Sequence, residues 1–338
     1  MDLKKVTNNR DNMIELNPLL TRQNIMVVST FIVPLIATII TMPYFIRKLT
    51  EKGIVVKDYY KKDETMVPSG GGLPILLITM ASLSILSLFF KFTVENYAAM
   101  MVIATFGLFG ILDDLIDIGR LSKLLLMYYC AYTLIQYACP ATFSFPLVLG
   151  IDPTLIYMQF IVPTYVLVAS NLVNMHSGYN GLSSGLSLIV LISIIARSVL
   201  LGDLENIAVI ICITGATLGF YLYDRYPSQI FWGNVGSLAI GATIGAAIVI
   251  QGFVISGFIM LIPHTVNFLM YVYWKAKKFP AAKFGRARED GTLEVPNNLT
   301  LKWVLPYYYR MTERQATYAM FLITGIFCLI GIMLPGVH

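Results

Sequence analysis

The chain has 338 residues, of which 57% are hydrophobic and 13% are charged, and its formal net charge is +5. Soluble domains usually carry about 25% charged residues, so this composition excludes a water-facing globular protein. It predicts a single polytopic membrane domain that covers residues 1–338.

Apolar segments recur along the whole chain and are close to the roughly 20 residues that a membrane-spanning helix needs. We therefore predict an all-α integral membrane fold with about ten transmembrane helices. The candidate segments are 25–46, 72–90, 97–112, 124–139, 155–173, 184–201, 206–222, 235–251, 253–274 and 316–335.

The loops that follow the odd-numbered segments hold 18 of the 24 Lys and Arg residues. Because positively charged short loops remain in the cytoplasm, we expect these loops to be cytoplasmic and both termini to lie outside. Four Lys and Arg residues in the N-terminal tail oppose this orientation, and three acidic residues partly offset them. The membrane would be the plasma membrane of a prokaryote or archaeon, or the endoplasmic reticulum of a eukaryote.

An acidic cluster, Asp113-Asp114-Leu115-Ile116-Asp117, ends the third segment. Carboxylates at a membrane boundary are unfavourable unless they are solvated, paired or bound to a metal. Magnesium prefers one or two carboxylates together with substrate phosphates, so the cluster is a candidate metal site. A solvated helix end is the alternative. Lys123 could neutralise a diphosphate, pair with the acids, or anchor the helix at the cytoplasmic side.

Two polar loops follow the fifth and seventh segments. Residues 171–185 read NLVNMHSGYNGLSSG, where Gly allows close backbone approach to a ligand and Asn offers both a donor and an acceptor. Residues 226–237 read YPSQIFWGNVGS and lead into a helix, whose N-terminus favours anionic groups. Ordinary hydrophilic turns are the alternative for both loops.

The cytoplasmic loop 275–315 is the longest connection and precedes the last segment. Asp290-Gly291 is a hairpin turn signal, and the residues from Leu299 to Tyr309 are rich in Leu, Trp and Tyr. We predict a small β-hairpin and helix insertion here. Arg286 and Arg288 suit phosphate binding, with attraction to anionic lipids as the alternative.

The order of these motifs resembles the polyprenyl-phosphate N-acetylhexosamine-1-phosphate transferases. The branch that starts dolichol-linked N-glycan assembly is the most similar. The segments that carry the resemblance are NMHSGYNGL at 174–182, YPSQIFWGN at 226–234, PHTVNFLMY at 263–271, and the run from Arg286 to Arg288 followed by GTLEV.

The resemblance implies a role for most of the polar residues named above. Asp113 and Asp114 would form the acidic pair near the metal and the lipid phosphate, and Lys123 would contact the donor diphosphate. Asn174 and Asn234 would be ligands of Mg²⁺, with Mn²⁺ as an alternative ion. The loop residues would bind the donor: Gly178 and Asn180 the uracil, and Arg286 and Arg288 the sugar-diphosphate.

The implied reaction transfers N-acetylglucosamine-1-phosphate from UDP-N-acetylglucosamine to a polyprenyl phosphate such as dolichyl phosphate. UMP leaves, and the sugar remains joined to the lipid through a diphosphate. The partners are therefore a UDP-sugar donor, a polyprenyl phosphate acceptor and membrane lipids, with no nucleic acid. A homodimer is an open alternative, since dimers occur in the family.

Two positions depart from the family pattern. Asn234 stands where the family usually has a metal-binding Asp, and Ala287 stands where relatives often have His. Asn keeps a carbonyl oxygen but loses the charge, so metal affinity should fall. Either this branch uses Asn, with Asp113, Asp114 or Asp117 compensating, or the change inactivates the chain.

Two other classes of protein compete with the transferase. An intramembrane prenyltransferase also uses acidic motifs and magnesium, but such enzymes usually carry two acidic motifs on separate helices, and this sequence has one. A transporter places polar residues at mid-membrane on broken helices, often in repeated halves. This sequence shows no repeat, and its polar residues gather at one face of the membrane.

Overall fold

A computed structural model describes residues 22–63, 65–116, 119–138, 153–202, 204, 206–278 and 284–335, and these residues form a predominantly helical membrane protein. Each of the ten predicted apolar segments overlaps a helix. The helices are α1 Arg22–Glu51, α2 Gly72–Leu86, α3 Val94–Leu115, α4 Arg120–Ala131, α5 Pro153–Ile156, α6 Val162–Met175, α7 Leu182–Leu201, α8 Ala208–Asp224, α9 Gly233–Ile250, α10 Val254–Met260, α11 Ile262–Ala276, α12 Leu301–Tyr308 and α13 Glu313–Met333.

Six helical stretches in the described part of the chain are long and apolar enough to cross a membrane. One of them is continuous from Thr154 to Met175, because a π-helical turn at Tyr157–Ile161 joins α5 to α6. The pair α10 and α11 makes a seventh if it is counted as one span; it is bent by 63° just before Pro263, in the first turn of α11. Helices α2 and α8 are apolar but shorter, so the integral membrane class is confirmed and the count of ten remains a prediction.

Helix α9 forms the centre of the bundle, with α3 and α6 packed along it. Gly241 and Gly245 lie against the backbone of α6, where an added Cβ would lie 2.6–2.7 Å from a Cα atom. On the other side, Gly110 of α3 lies even closer to the backbone of Val235. Small residues let the helix axes approach closely, so the first turn of α9 lies between the ends of α3 and α6.

Two short antiparallel hairpins cover one end of the bundle. Strand β1 (Val55–Lys57) pairs with β2 (Met66–Pro68), and β3 (Arg286–Ala287) pairs with β4 (Leu293–Glu294). The predicted hairpin turn is confirmed, with Gly291 at φ +80°, and the predicted helix after it is α12. A satellite apolar cluster attaches both hairpins to the bundle; it contains Tyr60, Tyr179, Trp274, Leu293 and Trp303.

Candidate active site

A polar cleft of about 440 Å³ opens at this end of the bundle, where the loops after α1, α3, α6, α8 and α11 meet. Of the nine predicted site residues, Asp114, Asn174, Gly178 and Asn234 line it. The other lining residues are Val56, Lys57, Asp58, Tyr59, Ser69, Ser177, Tyr179, Ser183, Asp224, Phe231, Trp232, Gly233, Ser237 and Phe284.

The first turn of α9 holds two of the predicted residues in place. The Asp114 carboxylate at the end of α3 accepts the backbone N–H groups of Asn234 at 3.1 Å and Val235 at 3.3 Å. The Ser237 hydroxyl donates to Asn174 Oδ1, at the end of α6, over 2.8 Å. One helical turn therefore links an acid and an amide that are 60 residues apart in sequence.

Asn234 contacts Asp114 through its side chain as well as its backbone N–H. An amide can donate a hydrogen bond to a carboxylate, whereas an ionised Asp has only acceptors. Gly233 permits the close approach, because its φ is +69° and an added Cβ would lie 2.7 Å from the Asp114 carboxylate. Asn234 can therefore lie next to an ionised Asp114 and donate a hydrogen bond to it, whereas an ionised Asp at position 234 would repel it.

Asp113 and Lys123 form an ion pair beside the cleft. The Lys123 ammonium lies 2.5 Å from Asp113 Oδ2, and both side chains are about 14% exposed. Neither residue lines the cleft. Helix α3 ends at Leu115 and Ile116 is extended, so the predicted acidic cluster does not continue as one helix; Asp117 lies outside the described residues.

Gly178 lies at the cleft wall with a φ of +112°, a conformation that side chains rarely adopt. An added Cβ would lie 2.2 Å from the Lys302 ammonium, which also donates to the carbonyl oxygen of Ser177. Lys302 lies over the rings of Tyr179 and Trp303 at 5.5 and 5.7 Å. Burial lowers the pKa of Lys302 to about 8, and the nearby Glu313 carboxylate opposes that shift.

Asn180 is only 2% exposed, and its polar groups are occupied by other residues. Its side-chain amide donates to Asp58 at 3.0 Å and accepts the Ser228 N–H at 3.0 Å. Its backbone N–H donates to Glu313 at 2.7 Å. Lys61 joins the two acids, lying 3.0 Å from Asp58 and 2.5 Å from Glu313. We call these four residues, Asn180, Asp58, Lys61 and Glu313, the loop-anchoring network.

The two predicted arginines are on the β3–β4 hairpin and do not line the cleft. Arg286 forms an exposed ion pair with Glu294 at 2.8 Å, and Arg288 donates to the carbonyl oxygen of Leu293 at 2.9 Å. The hairpin reaches the cleft through Phe284, whose ring stacks on Tyr59 with 3.8 Å between centroids.

Sequence reasoning missed two acids that line the cleft, Asp58 and Asp224. Asp224 is 5% exposed and accepts hydrogen bonds from the hydroxyls of Ser184 and Ser228. Its signal is an acid at the end of an apolar segment, the same pattern as Asp114. Asp58 lies among Lys57, Lys61 and Lys62 in the sequence. An acid in such a run is typical of a solvated charged loop, so the sequence alone does not indicate a site.

The oxygen atoms in the cleft suit a hard cation. The carboxylates of Asp114 and Asp224 and the amide oxygens of Asn174 and Asn234 all line it. Within the described ranges, no three His, Cys, Asp or Glu side chains form a metal-binding group. Magnesium is often held by one or two carboxylates together with substrate phosphates, so a complete protein cage is not required. The donor set therefore fits an ion that is completed by a phosphorylated substrate.

An apolar groove of about 350 Å³ runs along α6 beside the bend between α10 and α11. Leu172 lies in this groove and is only two residues from Asn174, or about 3 Å along the helix. The groove is lined by Phe160, Ile161, Thr164, Tyr165, Val168, Ala169, Leu172, Phe258, Leu261 and Thr265. The groove and the polar cleft thus lie at a similar level along α6, but residues two positions apart do not share a helix face.

Comparison with known proteins supports one family. The model for glycosyl transferase family 4 matches residues 96–252, the part of the chain from α3 to α9. A phospho-N-acetylmuramoyl-pentapeptide-transferase from Streptococcus pyogenes serotype M6 is 31% identical over 64% of this chain and 70% of the relative. The chain belongs to glycosyl transferase family 4.

Two archaeal relatives cover more of the chain. Proteins from Sulfolobus acidocaldarius and Saccharolobus solfataricus are each 28% identical, over 80% and 87% of this chain and 84% and 92% of the relatives. Both are provisionally named UDP-N-acetylglucosamine–dolichyl-phosphate N-acetylglucosaminephosphotransferase. Family 4 membership makes the chain a membrane-bound transferase, which favours that interpretation over a prenyltransferase or a transporter.

Proposed function

We propose that this chain transfers N-acetylglucosamine-1-phosphate from UDP-N-acetylglucosamine to a polyprenyl phosphate such as dolichyl phosphate. The observation that carries the proposal is the position of Asp114 and Asn174, held by one turn of α9 in a polar cleft, while another part of α6 borders an apolar groove. The cleft suits a charged nucleotide-sugar, and the groove suits a lipid chain. The names of the archaeal relatives support this donor and acceptor.

In the proposed reaction, a lipid phosphate oxygen attacks the β-phosphorus of the UDP-sugar. A new phosphorus–oxygen bond forms as the bond to UMP breaks, and the product is a lipid-diphosphate-sugar. The phosphate nucleophile is already anionic at neutral pH, so a strong general base is not required. Catalysis in such phosphoryl transfers comes mostly from positioning and charge neutralisation. The rigid placement of Asp114 and Asn174 by α9 would supply the positioning.

Asp114, Asn174 and Asn234 would hold Mg²⁺, or Mn²⁺ as the alternative. The ion would neutralise charge on the diphosphate and on the departing UMP. The amide oxygens of Asn174 and Asn234 are uncharged. Asp114 would therefore be the one negatively charged ligand among these three residues.

The cleft end of the bundle would face the cytoplasm, where nucleotide-activated sugars are made. The connections and short elements at that end carry positive charge, and positive connections mark the cytoplasmic side; the residues are Lys57, Lys61, Lys123, Arg225 and Lys302. The lipid phosphate would then enter from the membrane along α6, while the donor enters from water.

A product-release assay tests the proposal. Purified full-length protein in detergent receives UDP-N-acetylglucosamine, dolichyl phosphate and Mg²⁺, and UMP and the lipid product are followed. We expect Mg²⁺-dependent release of UMP that a chelator abolishes and that Asp114→Asn reduces at least about 100-fold. Asp63→Asn makes the same change at an exposed position and should keep full activity.

Three outcomes would count against the proposal in different ways. An inactive native chain with an active Asn234→Asp variant would show that the reaction is right and that Asn234 impairs this chain. Inactivity of both proteins with several UDP-sugars and several lipid phosphates would refute the transferase reaction itself. Uptake of substrate into vesicles without UMP release would point to transport instead.

A further inference from the structure

A second cleft of about 400 Å³ lies between the end of α8 and the beginning of α13. It shares no lining residue with the active-site cleft. Two arginines, Arg225 and Arg314, line it together with the aromatic rings of Tyr226 and Tyr318. The proposed reaction makes no use of this cleft.

Each arginine follows an acid that is turned into the protein. Asp224 is 5% exposed and accepts the hydroxyl groups of Ser184 and Ser228, so it does not neutralise Arg225. Glu313 is 3% exposed and is bound by Lys61 and the Asn180 backbone, so it does not neutralise Arg314.

The guanidinium groups therefore retain donors for an anion. Arg314 uses its Nε to donate to the Tyr318 hydroxyl at 3.2 Å, which leaves its terminal nitrogens. Within the described part of the chain, neither Arg225 nor Arg314 forms an ion pair. A planar guanidinium binds the oxygens of a phosphate through two parallel hydrogen bonds, and two such groups at one cleft favour a phosphate-bearing ligand.

The cleft lies at the boundary between polar loops and the lipid-facing surface. Arg314, Tyr318 and Leu322 are spaced four residues apart and share one face of α13. The exposed fraction is 50% for Tyr318 and 68% for Leu322, and Leu222 of α8 is 39% exposed at the cleft wall. A ligand with its phosphate at the arginines would have an apolar surface directly beside it, as a membrane lipid requires.

We propose that this cleft binds the phosphate of an anionic phospholipid headgroup, with the acyl chains along Leu222 and Leu322. Basic pockets between membrane helices bind such headgroups. The bound lipid would also contact the loop-anchoring network, because Asn180 lines the same cleft. The site does not depend on the proposed transferase reaction.

Native mass spectrometry of the full-length protein tests the site. Delipidated protein in detergent is titrated with phosphatidylglycerol or with zwitterionic phosphatidylcholine. The cleft variant carries Arg225→Gln and Arg314→Gln, and the matched control carries Arg47→Gln and Arg310→Gln, which remove two positive charges at positions 67% and 78% exposed. We expect phosphatidylglycerol binding to weaken at least about tenfold in the cleft variant and less than about twofold in the control. Phosphatidylcholine binding should be unchanged in both.

Three outcomes would overturn the proposal. Equal losses in the two double variants would show general attraction to a positive surface, and unchanged binding in the cleft variant would show that lipid binds elsewhere. Displacement of phosphatidylglycerol by millimolar inorganic phosphate would assign the cleft to a soluble phosphate. If the double variant does not fold, Arg225→Gln alone changes an exposed side chain and makes the same comparison against Arg47→Gln.

Discussion

The Asp114 carboxylate accepts the backbone N–H of Asn234 at 3.1 Å and also hydrogen-bonds the side chain of that residue. The last turn of α3 thus caps the first turn of α9. Asn at position 234 stabilises this arrangement without a cation, because its amide donates to the acid. An Asp at the same position would place a second negative charge next to the first.

Asn234→Asp should therefore make the stability of the protein more dependent on a divalent cation. Without Mg²⁺, we expect the free energy of unfolding to fall by about 1 kcal/mol, since like charges within a few ångströms repel. Adding Mg²⁺ should raise the thermal midpoint of the variant more than that of the native chain, because a ligand that binds the folded state stabilises it. Asn298→Asp, outside the cleft, is the charge-matched control. Equal responses to Mg²⁺ in all three proteins would contradict a metal site at Asn234.

Gly178→Ala should lower activity more than Gly291→Ala does. Both glycines have positive φ, so each substitution strains the backbone by about 1–2 kcal/mol. Only at Gly178 does the new Cβ collide with another group, the Lys302 ammonium at 2.2 Å; at Gly291 nothing lies within 4 Å. Thermal unfolding would report the shared strain, and UMP release would report the loss specific to the cleft. Similar activities in the two variants would show that the approach of Lys302 to Gly178 is unimportant.

Lys302 should make stability depend on pH in the alkaline range. Its pKa is lowered to about 8 in the folded protein by burial, while its ordinary value is 10.5. Between these values the unfolded chain binds a proton that the folded chain lacks, so the contribution of Lys302 to the free energy of unfolding rises with pH. Below pH 8 the buried ammonium opposes folding.

Comparison with Lys302→Met from pH 7 to pH 9.5 isolates this effect. Thermal midpoints are measured in detergent, and the native chain should gain stability relative to the variant as the pH rises above 8. Lys48→Met, which removes a lysine that pairs with Glu51 on the surface, should show no such trend. A constant difference between native and Lys302→Met across this range would mean that Lys302 titrates at its ordinary pKa.

Glu313→Gln should destabilise the protein by about 2 kcal/mol, since Lys61 loses one of its two buried carboxylate partners. The Gln side chain can still accept the Asn180 N–H, so the loop should stay in place and the variant should fold. Glu294→Gln breaks an exposed pair with Arg286 and should change stability by less than about 1 kcal/mol. Chemical denaturation of both variants measures the difference, and equal effects would argue against the loop-anchoring network.

Much of the fold was predictable because it depends on local properties of the chain. Each predicted apolar segment overlaps a helix, and the turn at Asp290-Gly291 joins two strands. The number of membrane-spanning helices was harder to predict, since α4 has only 12 residues and α10 and α11 meet at a 63° bend. Hydropathy does not distinguish a straight crossing from a bent or short helix.

Some residues of the site were likewise predictable from the sequence, and others were not. Asp114, Asn174, Gly178 and Asn234 were named from their residue types and motifs, and the structure brings all four to one cleft. Lys302 was missed, because no local pattern links it to Gly178, 124 positions earlier in the chain.

By itself, the sequence determined that this is a helical membrane protein and which polar motifs are candidates for chemistry, because hydropathy, turn propensity and residue type are properties of short segments. Only the tertiary structure decided how those motifs are used. It turned Asn180 into the protein, where Asp58 binds it from 122 positions away, and it left Arg225 and Arg314 facing a second cleft. These outcomes depend on how the loops at one end of the bundle pack against each other and against α13, and that packing joins residues whose separation along the chain carries no information about their contact.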